Sequence, residues 1–117
     1  MKHVIHADNS EFFRKMMKSF LSEKGLECES FEKGEDAVKA VAAGNATFVI
    51  TGLELPDMSG EEILKRLMTL PRKPPVIVVT SSDEAAKLKR IEALGVKAII
   101  MKSGDWKTEL KNILHIG

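Results

Sequence analysis

The sequence predicts an α/β fold, (βα)5, in which five parallel strands alternate with five helices and lie in the order 2-1-3-4-5. Short apolar runs and amphipathic helical patterns alternate five times over the 117 residues, which is typical of repeated strand–helix units. The three central runs are apolar throughout, as expected of parallel strands that helices cover on both faces. Right-handed crossovers between such strands give a doubly wound sheet.

Patterns before residue 31 predict the first strand, the first helix and the second strand. Val4–Ala7 is a short apolar run, and the apolar residues between Phe12 and Leu21 recur on one helical face. In Leu26–Ser30, two glutamates alternate with apolar or small residues, which indicates a strand with one wetter side. Such a strand suits the edge of a sheet, where the flavodoxin-like order places the second strand.

The middle of the chain predicts the second helix, the third strand and the third helix. Ala37–Ala42 carries a helical apolar stripe, and Gly44 suits the position just beyond the end of that helix. Phe48–Ile50 is a short apolar run that predicts a strand. Ser59 followed by Glu62 has the spacing of a capping box, which predicts the start of the third helix.

The last two strand–helix units follow three prolines. Val76–Val79 predicts the fourth strand, and Ala98–Met101 predicts the fifth. Ser81 and Glu84 repeat the capping-box spacing, so we expect Ser81 to cap a fourth helix that stops at Gly95.

Several side chains are assigned to the core. The helical spacing of the first helix places four apolar residues there: Phe12, Phe13, Met16 and Met17. Trp106 lies near the start of the last helix and is expected to pack on the sheet. His6 stands inside the first strand and is interpreted as a core or rim residue, because no second His or Cys stands at the spacing of a metal site.

Composition limits the classes of function. The formal net charge is +1, from 18 Lys and Arg against 17 Asp and Glu, so nothing favours nucleic acid or a membrane surface as a direct partner. Cys28 is the only cysteine, which excludes an intramolecular disulfide framework. Length and composition predict one domain over residues 1–117, without a signal peptide and in the cytoplasm.

Ligands bind outside the carboxyl ends of the strands in such sheets, and the residues that follow the predicted strands there are polar, except for one glycine. These residues are Asp8 and Asn9 after the first strand, Gly52 after the third, Thr80 and Ser81 after the fourth, and Lys102 after the fifth. Helix capping is the alternative role for several of them, since Asp8, Asn9 or Ser10 suits the start of the first helix. Their arrangement at successive strand ends favours one shared site.

These blocks together resemble the receiver domain of bacterial two-component response regulators, the CheY-like family, over essentially the whole chain. The matching segments are VIHADNSEFFRKMM, TGLELPDMSG, PPVIVVTSS and AIIMK. The resemblance implies a fold and a chemistry. In that family an aspartate accepts a phosphoryl group, a carboxylate-bound magnesium ion and a lysine neutralise the phosphoryl oxygens, and a hydroxyl and an aromatic residue then alter a partner surface.

Carried over residue by residue, the resemblance matches the family's pattern only in part. Asp8 matches the first acid, Thr80 the switch hydroxyl and Lys102 the lysine. Asn9 falls on the second acid, which is a metal ligand, and Gly52 falls on the phosphoacceptor aspartate. Ile99 takes the place of the switch aromatic. Without these carboxylates we expect no aspartyl phosphate at position 52, no cofactor and at most weak magnesium binding at Asp8.

We therefore expect a degenerate receiver that is not an enzyme and that binds a protein partner, either a sensor kinase or an effector, with a homodimer also possible. The family's output face implies a surface formed by the fourth helix, fifth strand and fifth helix: Lys87, Arg90, Ile91, Lys97, Ile99 and Lys107. On the loop after Gly52, Glu54 is expected to act through its backbone and Asp57 to face water.

Two other functions stay open at this point. One is a phosphoryl-accepting regulator that uses a non-standard acceptor, for which Asp8 is the candidate carboxylate, or a regulator whose acceptor was changed by engineering. The other is a flavodoxin-like cofactor binder, which would need a glycine-rich phosphate loop at a helix start. The segment ADNSEFF has no glycine and carries an acid, which disfavours that function.

Overall fold

The computed structural model describes residues 2–44 and 46–116. Its strands are β1 His3–Ala7, β2 Glu27–Phe31, β3 Phe48–Thr51, β4 Val76–Thr80 and β5 Ala98–Met101. Its helices are α1 Glu11–Glu23, α2 Gly34–Ala42, α3 Gly60–Met68, α4 Ala85–Glu92 and α5 Trp106–Leu114. The strands are all parallel and lie in the order β2-β1-β3-β4-β5, which confirms the predicted architecture.

The register of the sheet aligns the carboxyl ends of the central strands. Ala7 of β1 pairs with Thr51 of β3, and Thr51 pairs with Val78 of β4. Thr80 pairs with Met101 at the end of β5. Residues that directly follow these strands therefore share one rim of the molecule.

Helices cover the sheet on both faces and make two cores. On one face, α1 and α5 pack over β1, β3, β4 and β5, and Trp106 is buried there against Phe13 and Phe20, with ring centroids 5.0 and 5.5 Å away. On the other face, α2, α3 and α4 pack over the same sheet. The predicted core position of Trp106 is therefore confirmed.

The first helix corrects one core prediction. Phe13 and Met17 are buried and Met16 is half-buried, but Phe12 is 72% exposed. Successive residues on a helix point about 100° apart, so only one of two adjacent phenylalanines can face the sheet fully. The assignment of Phe12 to the core is therefore wrong, because Phe12 lies on the solvent side of α1.

Helix starts confirm one capping prediction and contradict another. Ser59 caps α3, because its Oγ accepts a hydrogen bond from the Glu62 backbone N–H at 3.2 Å. The predicted cap at Ser81 is wrong, since α4 begins at Ala85 with Glu84 as its N-cap residue and no side-chain cap. Ser10, rather than Asp8 or Asn9, caps α1 by accepting from the Phe13 N–H at 3.1 Å.

Candidate functional site

A cleft of about 220 Å³ opens at the carboxyl rim of the sheet. Each strand that ends there brings its following residues to the cleft wall, because the strands are parallel and in register. The lining includes all six residues that the sequence singled out: Asp8, Asn9, Gly52, Thr80, Ser81 and Lys102. Ser10, Leu53, Glu54 and Val79 complete the wall.

Asp8 is the buried acid of the cleft. Only 3% of the residue is exposed, and its Oδ1 accepts a hydrogen bond from the Ser10 backbone N–H at 2.8 Å. Its Oδ2 accepts no well-directed hydrogen bond from the residues that the structure describes, but the Lys102 Nζ lies 2.9 Å from it. The lysine therefore neutralises this carboxylate as a close ion pair, which is what keeps a charge tolerable in a buried position.

Lys102 is held on two sides. Its Nζ contacts Asp8, and it also lies 4.2 Å from the centroid of the Phe13 ring. A cation over an aromatic face is attracted to the negative face of the ring. Its backbone N–H donates to the Thr80 carbonyl at 2.7 Å, which fixes the main chain at the end of β5, while the contacts with Asp8 and Phe13 position the ammonium in the cleft.

Gly52 lies directly against this ion pair. Its backbone N–H donates to the Ala7 carbonyl at 2.8 Å, which continues the pairing of β3 with β1. A Cβ atom built at position 52 would lie 3.1 Å from Asp8 Oδ2 and 3.6 Å from Asp8 Cγ. Any side chain here would thus point at the Asp8 carboxylate, and the glycine leaves that approach without a reactive group.

The other lining residues divide into buried and exposed groups. Thr80 is 4% exposed, and its Oγ1 accepts a hydrogen bond from the Ser82 backbone N–H at 3.0 Å. Asn9 and Ser81 are exposed on the rim. The hydroxyls of Thr80 and Ser10 are therefore each held by a backbone hydrogen bond, whereas the Asn9 amide and the Ser81 hydroxyl are open to solvent.

Residues of the predicted partner face lie in different environments. Lys97 and Lys107 are exposed, and Ile99 is half-buried in β5. Ile91 is fully buried, so its assignment to a contact surface is wrong: with the half-buried Leu88, it packs α4 on the core. Lys107 Nζ lies 5.9 Å from the Phe20 ring on α1, so it points toward α1.

Lys87 and Arg90 on α4 are each engaged by a carboxylate. Lys87 Nζ lies 3.3 Å from Glu54 Oε1, and Arg90 Nε donates to Glu61 Oε1 at 2.8 Å. The hydrogen bond from Arg90 holds the pKa of Glu61 below its usual value. Neither cation is therefore an isolated surface charge.

Asp57 has a role that the sequence analysis did not predict. It is exposed, as expected, but its two carboxylate oxygens accept hydrogen bonds from the Gly34 and Glu35 backbone N–H groups at 2.8 and 3.0 Å. It therefore caps α2 from a different loop, and these bonds, first that from Glu35, lower the pKa of Asp57. The capping residue and the helix start are 22 residues apart in the sequence, so no short sequence motif could have predicted this cap.

His6 occupies the core beneath the cleft. It is fully buried, and its Nδ1 lies 3.1 Å from the Ser30 Oγ. Its Nε2 has no hydrogen-bond partner among the described residues. Burial lowers the pKa of His6 from 6.5 to about 4, an effect that the nearby Asp8 carboxylate only partly opposes. It is thus a neutral core residue, in keeping with its interpretation from the sequence.

The donor atoms around the cleft do not fit a magnesium site. In the part of the chain that the structure describes, no three His, Cys, Asp or Glu residues are grouped so as to hold a metal ion. Asp8 is already paired with Lys102, and the Glu54 carboxylate is paired with Lys87. A magnesium ion needs charged oxygen ligands in near-octahedral arrangement, and these carboxylates are engaged elsewhere.

The chain belongs to the response regulator receiver domain family, which matches residues 4–115. It is 31% identical over 118 residues to a protein-glutamate methylesterase/protein-glutamine glutaminase of Bacillus subtilis (strain 168), covering 97% of this chain and 33% of that protein. It is 22% identical over 101 residues to the Regulator of RpoS of Escherichia coli (strain K12), covering 86% of this chain and 30% of that protein. The chain thus spans about a third of the length of these relatives.

Solved structures of receiver domains share the fold. The chemotaxis protein CheY4 of Vibrio cholerae superposes with a TM-score of 0.84 at 24% identity, covering 100% of this chain and 99% of that one. A CheY-like receiver domain protein from Methanospirillum hungatei JF-1 gives a TM-score of 0.89 at 22% identity, covering 98% of this chain and 92% of that one. At these identities the structures establish the common fold.

The described residues also include no helix with the length and apolarity that a membrane crossing requires.

Proposed function

We propose that this chain is a pseudo-receiver: a receiver-type module, 1–117, of two-component signalling that acts through a protein partner and without phosphorylation. Its partner is a sensor kinase or an effector protein, and the module is a cytoplasmic binding domain rather than an enzyme. Membership of the receiver family supplies the general role in signal transduction. Independence from phosphorylation is inferred from the residues of the cleft.

The observation that carries the proposal is the Asp8–Lys102 pair beside Gly52. Phosphoryl transfer to a receiver needs a carboxylate that attacks phosphorus, and the family's pattern puts that carboxylate where this chain has glycine. The space in front of Gly52 faces Asp8 Oδ2, and the Lys102 ammonium already lies 2.9 Å from that oxygen. The cleft's principal cation is thus committed to an internal carboxylate.

Asp8 is a poor substitute acceptor. One of its oxygens accepts the Ser10 N–H and the other faces Lys102, and the residue is 3% exposed. Attack by this carboxylate on a phosphoryl donor would break the ion pair and leave an ammonium without its partner. We therefore disfavour a non-standard phosphoryl acceptor at this position.

Ile99 supports a trigger other than phosphorylation. It lies in β5, where the family's pattern has a switch aromatic, and a branched aliphatic side chain cannot exchange the buried and exposed rotamers of a ring. The exposed Lys97 and the half-buried Ile99 lie close together at the edge strand β5. Such a mixture of charged and apolar surface suits a small protein–protein interface. Some relatives carry names such as transcriptional regulatory protein PcoR, which favours an effector as the partner.

The test is the intact mass of the purified chain after incubation with acetyl phosphate and magnesium. We expect no gain of a phosphoryl group on any aspartate, while a receiver with the acceptor aspartate, treated in parallel, gains one. A gain on Asp8 or on another carboxylate of the native chain would refute the proposal.

A matched variant supplies the missing acids. Gly52→Asp combined with Asn9→Asp restores carboxylates at both positions of the family's pattern, and we expect this double variant to gain a phosphoryl group where the native chain does not. The comparison separates the loss of the reacting atom from a general loss of the receiver scaffold.

A further inference from the structure

Helix α4 is the helix least anchored to the core. It fully buries a single residue, Ile91, and half-buries Leu88 against the same core, whereas α1, α2 and α3 each fully bury four residues and α5 three. Its N-cap residue, Glu84, makes no side-chain hydrogen bond to the first turn. A helix with so little buried apolar surface depends on other contacts for its position and opens locally at low cost.

The segment between β3 and α3 is, by contrast, tightly fixed. Asp57 holds it to the N-terminus of α2 through two backbone hydrogen bonds. Gly34 lets Met58 pack so close that a Cβ at position 34 would lie 2.7 Å from Met58 Cγ. Glu54 and Ser59 form a β-bridge across the turn. The cleft residue Glu54 therefore stands on a rigid support.

Two ion pairs connect this fixed segment and α3 to α4. The Lys87 side chain is 20% exposed and reaches Glu54, whose own side chain is 78% exposed on the cleft rim. Three residues later on α4, Arg90 donates to Glu61 in the first turn of α3. Lys87 and Arg90 are neighbours on one helical face. Both ion pairs therefore hold the same side of α4 against α3 and the segment between β3 and α3.

We propose that the Glu54–Lys87 and Glu61–Arg90 pairs form an ionic latch that holds α4 against the cleft, so that loss of the Glu54 contact loosens α4. The latch, defined by these four residues, links the cleft rim to the outer surface of α4. The inference does not depend on whether the cleft accepts a phosphoryl group. The latch thus fixes the position of α4 relative to the cleft rim, which the proposed function leaves open.

Amide hydrogen exchange of the whole chain tests the latch. Single variants Glu54→Gln and Lys87→Gln should each speed exchange in α4 by about twofold to fivefold, as expected for one exposed ion pair. Amides of α5 should keep their wild-type rates and serve as the internal reference. Lys89→Gln changes a lysine on the same helix whose side chain makes no ion pair or hydrogen bond with the described residues. It is the matched control and should have no effect.

A double-mutant cycle separates the latch from two independent surface effects. If Glu54 and Lys87 act through each other, the double variant Glu54→Gln/Lys87→Gln exchanges no faster than either single variant. The charge-swapped pair Glu54→Lys/Lys87→Glu should return α4 exchange toward the wild-type rate. Wild-type rates in both single variants, additive effects in the double variant, or an equal effect of Lys89→Gln would each overturn the proposal.

Discussion

Acidification should destabilise the protein through His6. The imidazole is fully buried, and its Nε2 lacks a hydrogen-bond partner among the residues that the structure describes. Burial lowers its pKa from 6.5 to about 4. The unfolded chain therefore binds a proton at this residue at a pH where the folded protein does not.

The sign and size of the effect follow from linkage. Because the folded pKa is depressed, the stability from neutral His6 is fully present above the unfolded value of 6.5 and is lost as the pH falls toward 4. At about 1.4 kcal/mol per unit of pKa shift, the full loss is about 3 kcal/mol, and about 2 kcal/mol of it is already lost at pH 5.

Urea unfolding between pH 7.5 and 4 measures this loss, with His6→Phe as the reference variant. Phenylalanine keeps an aromatic ring near Phe13, whose centroid lies 6.1 Å from that of His6, and removes the titration. The free energy of unfolding of the native chain should fall by about 3 kcal/mol more than that of the variant over this range. Parallel pH profiles for the two proteins would refute the account of His6.

Three further substitutions test particular contacts, each by the free energy of unfolding in urea. Gly60→Ala should cost about 2 kcal/mol by overpacking, because the new Cβ would lie 2.9 Å from the Leu53 Cα. Gly104→Ala is the control, since its Cβ would lie 3.7 Å from the nearest atom. Equal losses of stability in the two variants would contradict this packing. Asp57→Ala should cost about 1 kcal/mol through loss of the α2 cap, and an unchanged stability would show that the cap contributes nothing. Phe13→Ala should cost about 3 kcal/mol, whereas Phe12→Ala should cost little because Phe12 is 72% exposed; similar losses for the two would show that Phe12 is packed in solution.

The sheet was predictable from the sequence because its signals are local. Each buried strand is a short apolar run, and the alternating glutamates of β2 mark an edge strand. Parallel strands in that order bring their carboxyl ends together. The topology alone therefore predicts that four residues meet on one rim: Asp8, Gly52, Thr80 and Lys102.

The missed features depend on contacts between distant parts of the chain. Ser81 has the spacing of a capping box, but Glu84 is extended and α4 starts only at Ala85. Local spacing alone does not determine where a weakly packed helix begins. Asp57 caps α2 through backbone N–H groups that lie 22 and 23 positions away in the sequence. Ile91 was assigned to the surface by resemblance alone, although its apolar side chain is what α4 buries.

Independence from magnesium and phosphorylation can be tested by the backbone amide NMR spectrum of the chain with and without magnesium and acetyl phosphate. We expect superimposable spectra, because Gly52 offers no attacking atom and the Asp8 carboxylate is paired with Lys102. Saturable shifts at sub-millimolar magnesium, or new resonances for Asp8, Gly52, Thr80 and Lys102 after addition of the phosphoryl donor, would contradict it.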